Sequence, residues 1–284
     1  MSPATADDGR AAPSCRDFNR WHFWHKLMTN FPDAATQFGV LATFYDELMD
    51  VVPYDAWVEY VMLLFSVVRH QPRRILDCAC GTGNVTFKLA EQGLTATGVD
   101  LSLPMIRVAQ AKAQARKPPL PVRFFQADLS DFSLGETFDS ATCLYDSLNY
   151  ILDPAALQAA FDCIAQHVEP DGIFVFDMNS VHALTADLFT QRNRDPRRAL
   201  HYDWQAHFDP ATRICTVQME FERTNRDESI ERFHEVHRER AYALSEVEAM
   251  LQATGWQLLQ TYDAYTLNRP HQGSERWFFV AQRV

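Results

Sequence analysis

A turn that contains two glycines follows an apolar strand, and a carboxylate stands just before it. Residues 75–84 read ILDCACGTGN, and a helix-forming run comes next. Gly81 and Gly83 allow a sharp turn and leave bare backbone open to a ligand, and a nucleotide-like molecule can lie against the helix N-terminus. Asp77 would repel a pyrophosphate and attract an ammonium group. The pattern therefore predicts a ligand that has both a nucleoside and a cation.

Two more predicted strands also end in carboxylates. The segment TATGVD closes on Asp100, at the distance from the turn where an acid reaches a ribose diol in such folds. The segment VRFFQAD closes on Asp128, which could accept a hydrogen bond from an adenine amino group, with Leu129 beside the ring. Open α/β sheets bind ligands at this edge, so the three acids are expected to converge there.

A dinucleotide is a poorer match to the turn. The nicotinamide fingerprint needs Gly-x-Gly-x-x-Gly or Ala, and the third position here is Thr86. Asp77 is also unexpected in that fingerprint, whereas Asp100 fits either ligand. The residues thus favour a nucleoside with a cationic group.

These motifs, in this order and spacing, resemble class I S-adenosylmethionine-dependent methyltransferases, and in particular bacterial small-molecule methyltransferases. The matching segments are residues 76–83, 98–102 with Met105, 126–129, 138–143 and 168–172. The resemblance covers roughly residues 40–284. It implies an α/β fold with a doubly wound, mostly parallel seven-stranded sheet, the Rossmann-like methyltransferase fold, with an N-terminal helical lid and an antiparallel β insert.

The same resemblance implies S-adenosylmethionine as the cofactor. Tyr45 and Trp57, with Tyr54, match helices that cover the methionine end of the cofactor in such enzymes, although ordinary helix packing is the alternative for Tyr54. The residues expected to contact the cofactor are Tyr45, Trp57, Asp77, Cys78, Ala79, Gly81, Gly83, Asp100, Leu101, Met105, Ala127, Asp128, Leu129 and Leu144.

Four residues are candidates for handling the methyl acceptor, because an in-line transfer needs an aligned acceptor and a base for its proton. Tyr145 and Asn149 follow the predicted fourth strand and are expected to face the methyl group; the alternative is that Asn149 caps the next helix. Glu235 and His237 point the same way on a strand of the insert and could hold an amine or take a proton. A surface ion-pair ladder is the alternative for that pair.

No metal site is predicted. Cys78 and Cys80 lie within a strand, where small buried residues are expected. His234 and His237 would face opposite sides of their strand and lack the His-Glu-x-x-His spacing.

The charge of the chain favours a small-molecule acceptor. The formal net charge is −11, and the basic run at residues 192–198 is short and interrupted. Nucleic-acid binding usually needs a basic face. The sequence therefore predicts a transferase acting on a small molecule, with an amine as the first choice. Alternatives are an O-methyltransferase for hydroxylated or carboxylic substrates, a non-catalytic cofactor-binding subunit and, less favoured, an RNA methyltransferase.

The 284 residues are expected to divide into five regions. Residues 1–30 form a partly disordered tail with an aromatic patch, which is expected to pack on the main domain; the alternatives are a homodimer contact or part of a lid. Residues 31–70 form the helical lid, with helices over 36–52 and 54–69. The cofactor-binding core takes 71–180, the insert 181–243, and a helix with the last two strands 244–284. With no secretory or membrane-spanning run, a cytoplasmic protein without membrane contact is expected.

Overall fold

The computed structural model describes residues 37–284. The tail, its aromatic patch and the dimer contact predicted there lie outside the described residues. None of the helices within residues 37–284 combines the length and the apolar composition needed to span a membrane.

A seven-stranded sheet forms the centre of the described chain, with strand order β10-β11-β5-β4-β1-β2-β3. The strands are β1 (Arg74–Cys78), β2 (Thr95–Asp100), β3 (Val122–Gln126), β4 (Phe138–Cys143), β5 (Val168–Asn179), β10 (Trp256–Asp263) and β11 (Arg276–Arg283). The first five run parallel, and β11 lies antiparallel between β5 and β10. This confirms the predicted sheet.

Helices cover both faces of that sheet. The α-helices within residues 37–284 are α1 (Tyr45–Leu48), α2 (Tyr54–Val67), α3 (Asn84–Glu91), α4 (Leu103–Ala115), α5 (Pro154–His167), α6 (Val181–Thr185) and α7 (Leu244–Ala253). Successive side chains of a strand point to opposite faces. Leu76 of β1 accordingly packs in the cluster that contains α5 and α7, whereas Ile75 packs with α2 and α3.

A second sheet forms the insert between β5 and α7. Its strands pair antiparallel in chain order and are β6 (Gln191–Asn193), β7 (Leu200–Asp209), β8 (Ile214–Thr224) and β9 (Ile230–Arg240). The predicted insert is therefore present, with β6 as a short additional edge strand. Its apolar face packs on Leu41 and Leu48, which precede the central sheet in the chain.

The helix predicted over residues 36–52 is wrong. Its described part, residues 37–52, contains only a 3-10 turn, Leu41–Thr43, and the four-residue helix α1. Phe38 has a left-handed backbone with φ of 59°, which a helix cannot continue through. The N–H groups of Phe38 and Leu41 bond to the side chain of Glu235 instead. A distant side chain thus takes the place of helical hydrogen bonds.

Candidate active site

The turn between β1 and α3 uses its two glycines differently. Both have positive φ, 56° at Gly81 and 83° at Gly83. A Cβ on Gly83 would lie 2.8 Å from the ring of Phe124, whereas one on Gly81 would meet no heavy atom within 4 Å among the described residues. Gly83 therefore permits close packing against β3, and Gly81 leaves backbone open to a ligand.

Asp100 and Asp128 lie at the carboxyl edge of the sheet, as predicted. The Asp100 carboxylate accepts hydrogen bonds from the N–H groups of Gly81 and Ser102, both at 2.8 Å. This ties the turn to the end of β2, and burial raises the pKa of Asp100. Asp128 is exposed, and one carboxylate oxygen accepts from the N–H of Ser130 at 2.9 Å.

Asp77 is buried beneath the turn, with only 2% of its surface exposed. The hydroxyl of Thr86 donates to one carboxylate oxygen at 2.5 Å, and that of Thr142 donates to the other at 3.1 Å. Burial raises the pKa of Asp77 to about 6, although the two hydroxyl groups oppose the shift. A contact between Asp77 and an ammonium group stays a prediction.

Asp46 in α1 connects the segment before α2 to the glycine turn by hydrogen bonds. Its carboxylate accepts from the Thr82 hydroxyl at 2.6 Å, the Asn84 amide at 3.0 Å and the Lys112 ammonium at 2.8 Å. The neighbouring Tyr45 is thereby held beside the site.

The electrostatics of Tyr45 indicate where its phenol lies. Burial raises its pKa well above the ordinary value, and the nearby groups of Tyr54, Tyr145, Asp146 and Asp100 raise it further. Tyr45 thus lies near the end of β2 and the turn after β4, and its contact with the methionine end of the cofactor stays a prediction.

The turn after β4 has a strained backbone, which hydrogen bonds to Asp177 stabilise. Tyr145 and Asp146 have φ of 68° and 51°, and their N–H groups donate to the Asp177 carboxylate at 2.7 and 3.0 Å. The indole of Trp57 stacks on the Tyr145 ring with centroids 4.3 Å apart. Two consecutive left-handed residues are disfavoured, so these contacts are what keep Tyr145 in place.

A buried charged cluster lies beneath this turn. Arg276 forms ion pairs with Asp146, at 2.7 Å, and with Asp177. Glu239 is 3% exposed and accepts from the Asn179 amide at 2.7 Å. Burial raises the pKa of Glu239 well above its usual range, and Asp146 raises it further. Two of the three buried carboxyl groups therefore pair with the guanidinium, and Glu239 lies near enough to feel its charge.

Asn149 cross-links two strand ends. Its amide nitrogen donates to the carbonyls of Asn179 and Arg240 at 3.2 and 3.0 Å, and its oxygen accepts from the Asn179 N–H at 3.0 Å. The next helix, α5, is capped by Asp153 instead. The role of Asn149 toward the methyl group stays a prediction, and its contacts support a structural one.

Glu235 and His237 share a face of β9, as predicted, but this face is buried. Glu235 accepts from the N–H groups of Phe38 and Leu41 at 3.0 and 2.9 Å and lies 2.9 Å from His237 Nε2. His237 Nδ1 is 3.0 Å from the Tyr150 hydroxyl. Because the two side chains are 7% and 1% exposed, the alternative of a surface ladder is wrong. Their catalytic role stays a prediction.

The remaining residues predicted to contact the cofactor differ in exposure. Cys78, Met105 and Leu144 are buried, Ala79, Ala127 and Leu129 are half-buried, and Leu101 is 46% exposed. The Cys78 side chain packs in the core beneath the sheet, so only its backbone is available to a ligand.

Sequence reasoning missed Arg276 and Glu239. Glu239 continues the alternation of Glu235 and His237 along β9, and this signal could have found it. Arg276 begins β11, opposite Asn179, and no local pattern indicates that it will meet Asp177. Within the part of the chain that the structure describes, no group of three or more His, Cys, Asp or Glu residues is arranged to hold a metal ion.

Comparisons with known proteins agree with this geometry. A family model described as a methyltransferase domain matches residues 75–172. A protein of Geobacillus sp. (strain WCH70) assigned as a methyltransferase is 33% identical over 247 residues, covering 85% of this chain and 98% of that one. An S-adenosylmethionine-dependent methyltransferase structure from Clostridium acetobutylicum ATCC 824 has a TM-score of 0.74 at 28% identity, covering 87% of this chain and 98% of that chain.

The fold and the glycine turn define a class I S-adenosylmethionine-dependent methyltransferase, and the chain belongs to that family. A further relative is the dTDP-3-amino-3,6-dideoxy-alpha-D-glucopyranose N,N-dimethyltransferase of Streptomyces fradiae, 36% identical over 155 residues, or 54% of this chain and 58% of that protein.

The residues at the turn fit S-adenosylmethionine, which supplies the methyl group. The open backbone at Gly81 and the carboxylates of Asp100 and Asp128 are suited to a nucleoside. Tyr45, held by the Asp46 contacts, is expected to lie toward the end that carries the cation.

Proposed function

We propose that the protein transfers the methyl group of S-adenosylmethionine to the amino group of a small molecule, and that amino sugars are the class of acceptor to test first. The observation that carries this proposal is the excess of buried carboxyl groups beside Tyr145. Asp146, Asp177 and Glu239 are balanced among the described residues of the cluster by Arg276 alone.

A buried charge costs several kcal/mol unless it is paired or neutralised. A cluster that holds more carboxyl groups than cations therefore favours an acceptor that arrives as an ammonium ion, because the bound cation offsets the cost of ionising the carboxyl groups. An ammonium nitrogen must lose a proton before it can attack a methyl group, and a nearby base assists that loss. Burial raises the pKa of Glu239, so this carboxyl group is the strongest base of the three once the bound cation favours its ionised form, and it is then best suited to take the proton.

The relative from Streptomyces fradiae supports an amino sugar, because its name gives a 3-amino sugar as the methylated molecule. The net charge of −11 disfavours nucleic acid, whose affinity for proteins depends mainly on neutralising its phosphates. A carboxylic acceptor would be repelled by the excess of carboxyl groups, and a neutral hydroxylated acceptor would bring no positive charge to offset it.

The test is transfer of labelled methyl groups to separate pools of amino sugars, other amines, phenols, carboxylic acids and total RNA. We expect label in the amine pools. Glu239→Gln should lower kcat about 10²–10⁴-fold, the usual contribution of a general base, and leave cofactor affinity unchanged. The exposed Glu231 on the same strand provides the matched control, Glu231→Gln. Label confined to phenols, acids or RNA would refute the amine proposal.

A further inference from the structure

The lid segment, residues 37–50, is joined to the insert through one buried carboxylate. Both oxygens of Glu235 accept backbone N–H groups of this segment, from Phe38 and from Leu41. The Phe38 ring also contacts His237 edge-on, with centroids 4.5 Å apart. Hydrogen bonds to a charged, buried acceptor are among the stronger ones in proteins, so this junction resists opening.

The same segment is joined to the cofactor-binding core at two other points. The Ser102 hydroxyl donates to the Phe38 carbonyl at 3.1 Å, and Asp46 accepts from Thr82 and Asn84 beside the glycine turn. Since Ser102 directly follows the acid-bearing end of β2, the lid segment bridges the insert and the cofactor edge of the sheet.

We infer that Glu235 is a positioning residue, which couples the insert to the cofactor site by holding the lid segment closed over the end of β2. The pair Glu235 and His237 then acts through Phe38 and Tyr45 rather than on the acceptor. This inference rests on the cofactor that the family uses and does not depend on the identity of the acceptor.

The backbone of Phe38 shows why the segment needs such a hold. Its φ of 59° is unfavourable for a residue with a large side chain. Without the bonds from Glu235 and Ser102 the backbone at Phe38 would relax to an ordinary conformation. Tyr45, whose ring lies 6.2 Å from that of Phe38, would lose this support and depend on the Asp46 contacts. His237, fixed in turn by the Tyr150 hydroxyl, supports the carboxylate from the other side.

The experiment measures dissociation of S-adenosylhomocysteine, the demethylated product, from the full-length protein by stopped flow, and its Kd by calorimetry. Glu235→Gln removes the charge and one of the two acceptor oxygens. We expect release to be faster and Kd weaker by about 10–100-fold, as for loss of a hydrogen bond to a charged group. The control Glu231→Gln changes an exposed side chain on the same strand and should release product at the wild-type rate.

Amide hydrogen exchange provides a second measurement, which needs no ligand. In the wild-type protein the amides of Phe38 and Leu41 should be protected as well as those of β9, and in Glu235→Gln they should exchange faster while β1 stays protected. Wild-type release and Kd in a folded Glu235→Gln protein would overturn the inference. So would unprotected amides at Phe38 and Leu41 in the wild-type protein, even if the variant failed to fold.

Discussion

At the scale of single residues, Asp77 shows how one carboxyl group can serve both the fold and the ligand. It joins β1 to α3 and β4 through the hydroxyl groups of Thr86 and Thr142. Its pKa of about 6 makes the ionised form costly in the unbound protein. A nearby cation would stabilise the ionised carboxylate, which is consistent with the predicted contact to the ammonium group of the cofactor.

The stability of the unbound protein should therefore decline as Asp77 ionises. Its pKa is raised from 3.8 to about 6, so the folded state retains the proton over a range in which the unfolded state releases it. The contribution to the free energy of unfolding is greatest below pH 4 and is lost as pH rises through 6, by about 3 kcal/mol at 1.36 kcal/mol per pKa unit.

Urea unfolding between pH 4 and pH 7.5 checks this prediction. The free energy of unfolding of the wild-type protein should fall relative to that of Asp77→Asn across the window, because the variant cannot ionise. The exposed Asp55→Asn serves as the control and should follow the wild-type curve. Wild-type and Asp77→Asn curves that stay parallel would contradict the assigned pKa.

At the scale of elements, the turn from β1 to α3 separates a glycine needed for the fold from one that leaves room for the ligand. Gly83→Ala should destabilise the protein, since its Cβ would meet the Phe124 ring at 2.8 Å. Gly81→Ala should cost only about 1–2 kcal/mol of left-handed strain, yet its Cβ would occupy the open space above the turn.

Thermal unfolding and calorimetry of the two variants measure these effects separately. We expect Gly81→Ala to remain folded and to bind S-adenosylmethionine weakly, and Gly83→Ala to show the larger loss of stability. Normal cofactor affinity in Gly81→Ala would mean that the ligand does not approach that face of the turn.

Elements with local signals were predictable from the sequence. The segment TATGVD was predicted as a strand and forms β2 with the same bounds. The helices α4 and α5 also carry local signals, because Ser102 and Asp153 cap them. The lid segment was not predictable, since Phe38 and Leu41 bond to Glu235, which lies almost 200 positions away in the chain. Propensity alone favours a helix there.

In the candidate site, too, residues with a local sequence signal were predictable, and residues placed by distant contacts were not. The acids at the ends of β1 and β2, and Asp128 after β3, could be predicted because parallel strands end at one edge of the sheet. Arg276 could not, because its place depends on the insertion of β11 beside β5 and on the register that sets it opposite Asn179. The burial of Glu235 and His237 likewise depends on the lid segment packing over β9.

At the scale of the whole described molecule, the apolar core consists of separate clusters, and one of them joins the lid segment to the insert. Two large clusters cover the two faces of the central sheet. A further cluster combines Leu41 and Leu48 with the inner face of the insert, including Leu200, Val217 and Phe221. The insert therefore completes its core with residues that precede the central sheet in the chain.

This division predicts that Leu41→Ala loosens the insert while the central sheet stays intact. Leu41 is buried in the cluster of the insert, and such truncations cost about 2–5 kcal/mol. Amide exchange should quicken in β7, β8 and β9 and remain slow in β1 and β4, because local opening exposes only the cluster that lost contacts. Leu76→Ala, made in the core of the central sheet, is the matched control and should quicken exchange throughout. Equal loss of protection in both sheets for Leu41→Ala would show that the insert and the central sheet open as one cooperative unit.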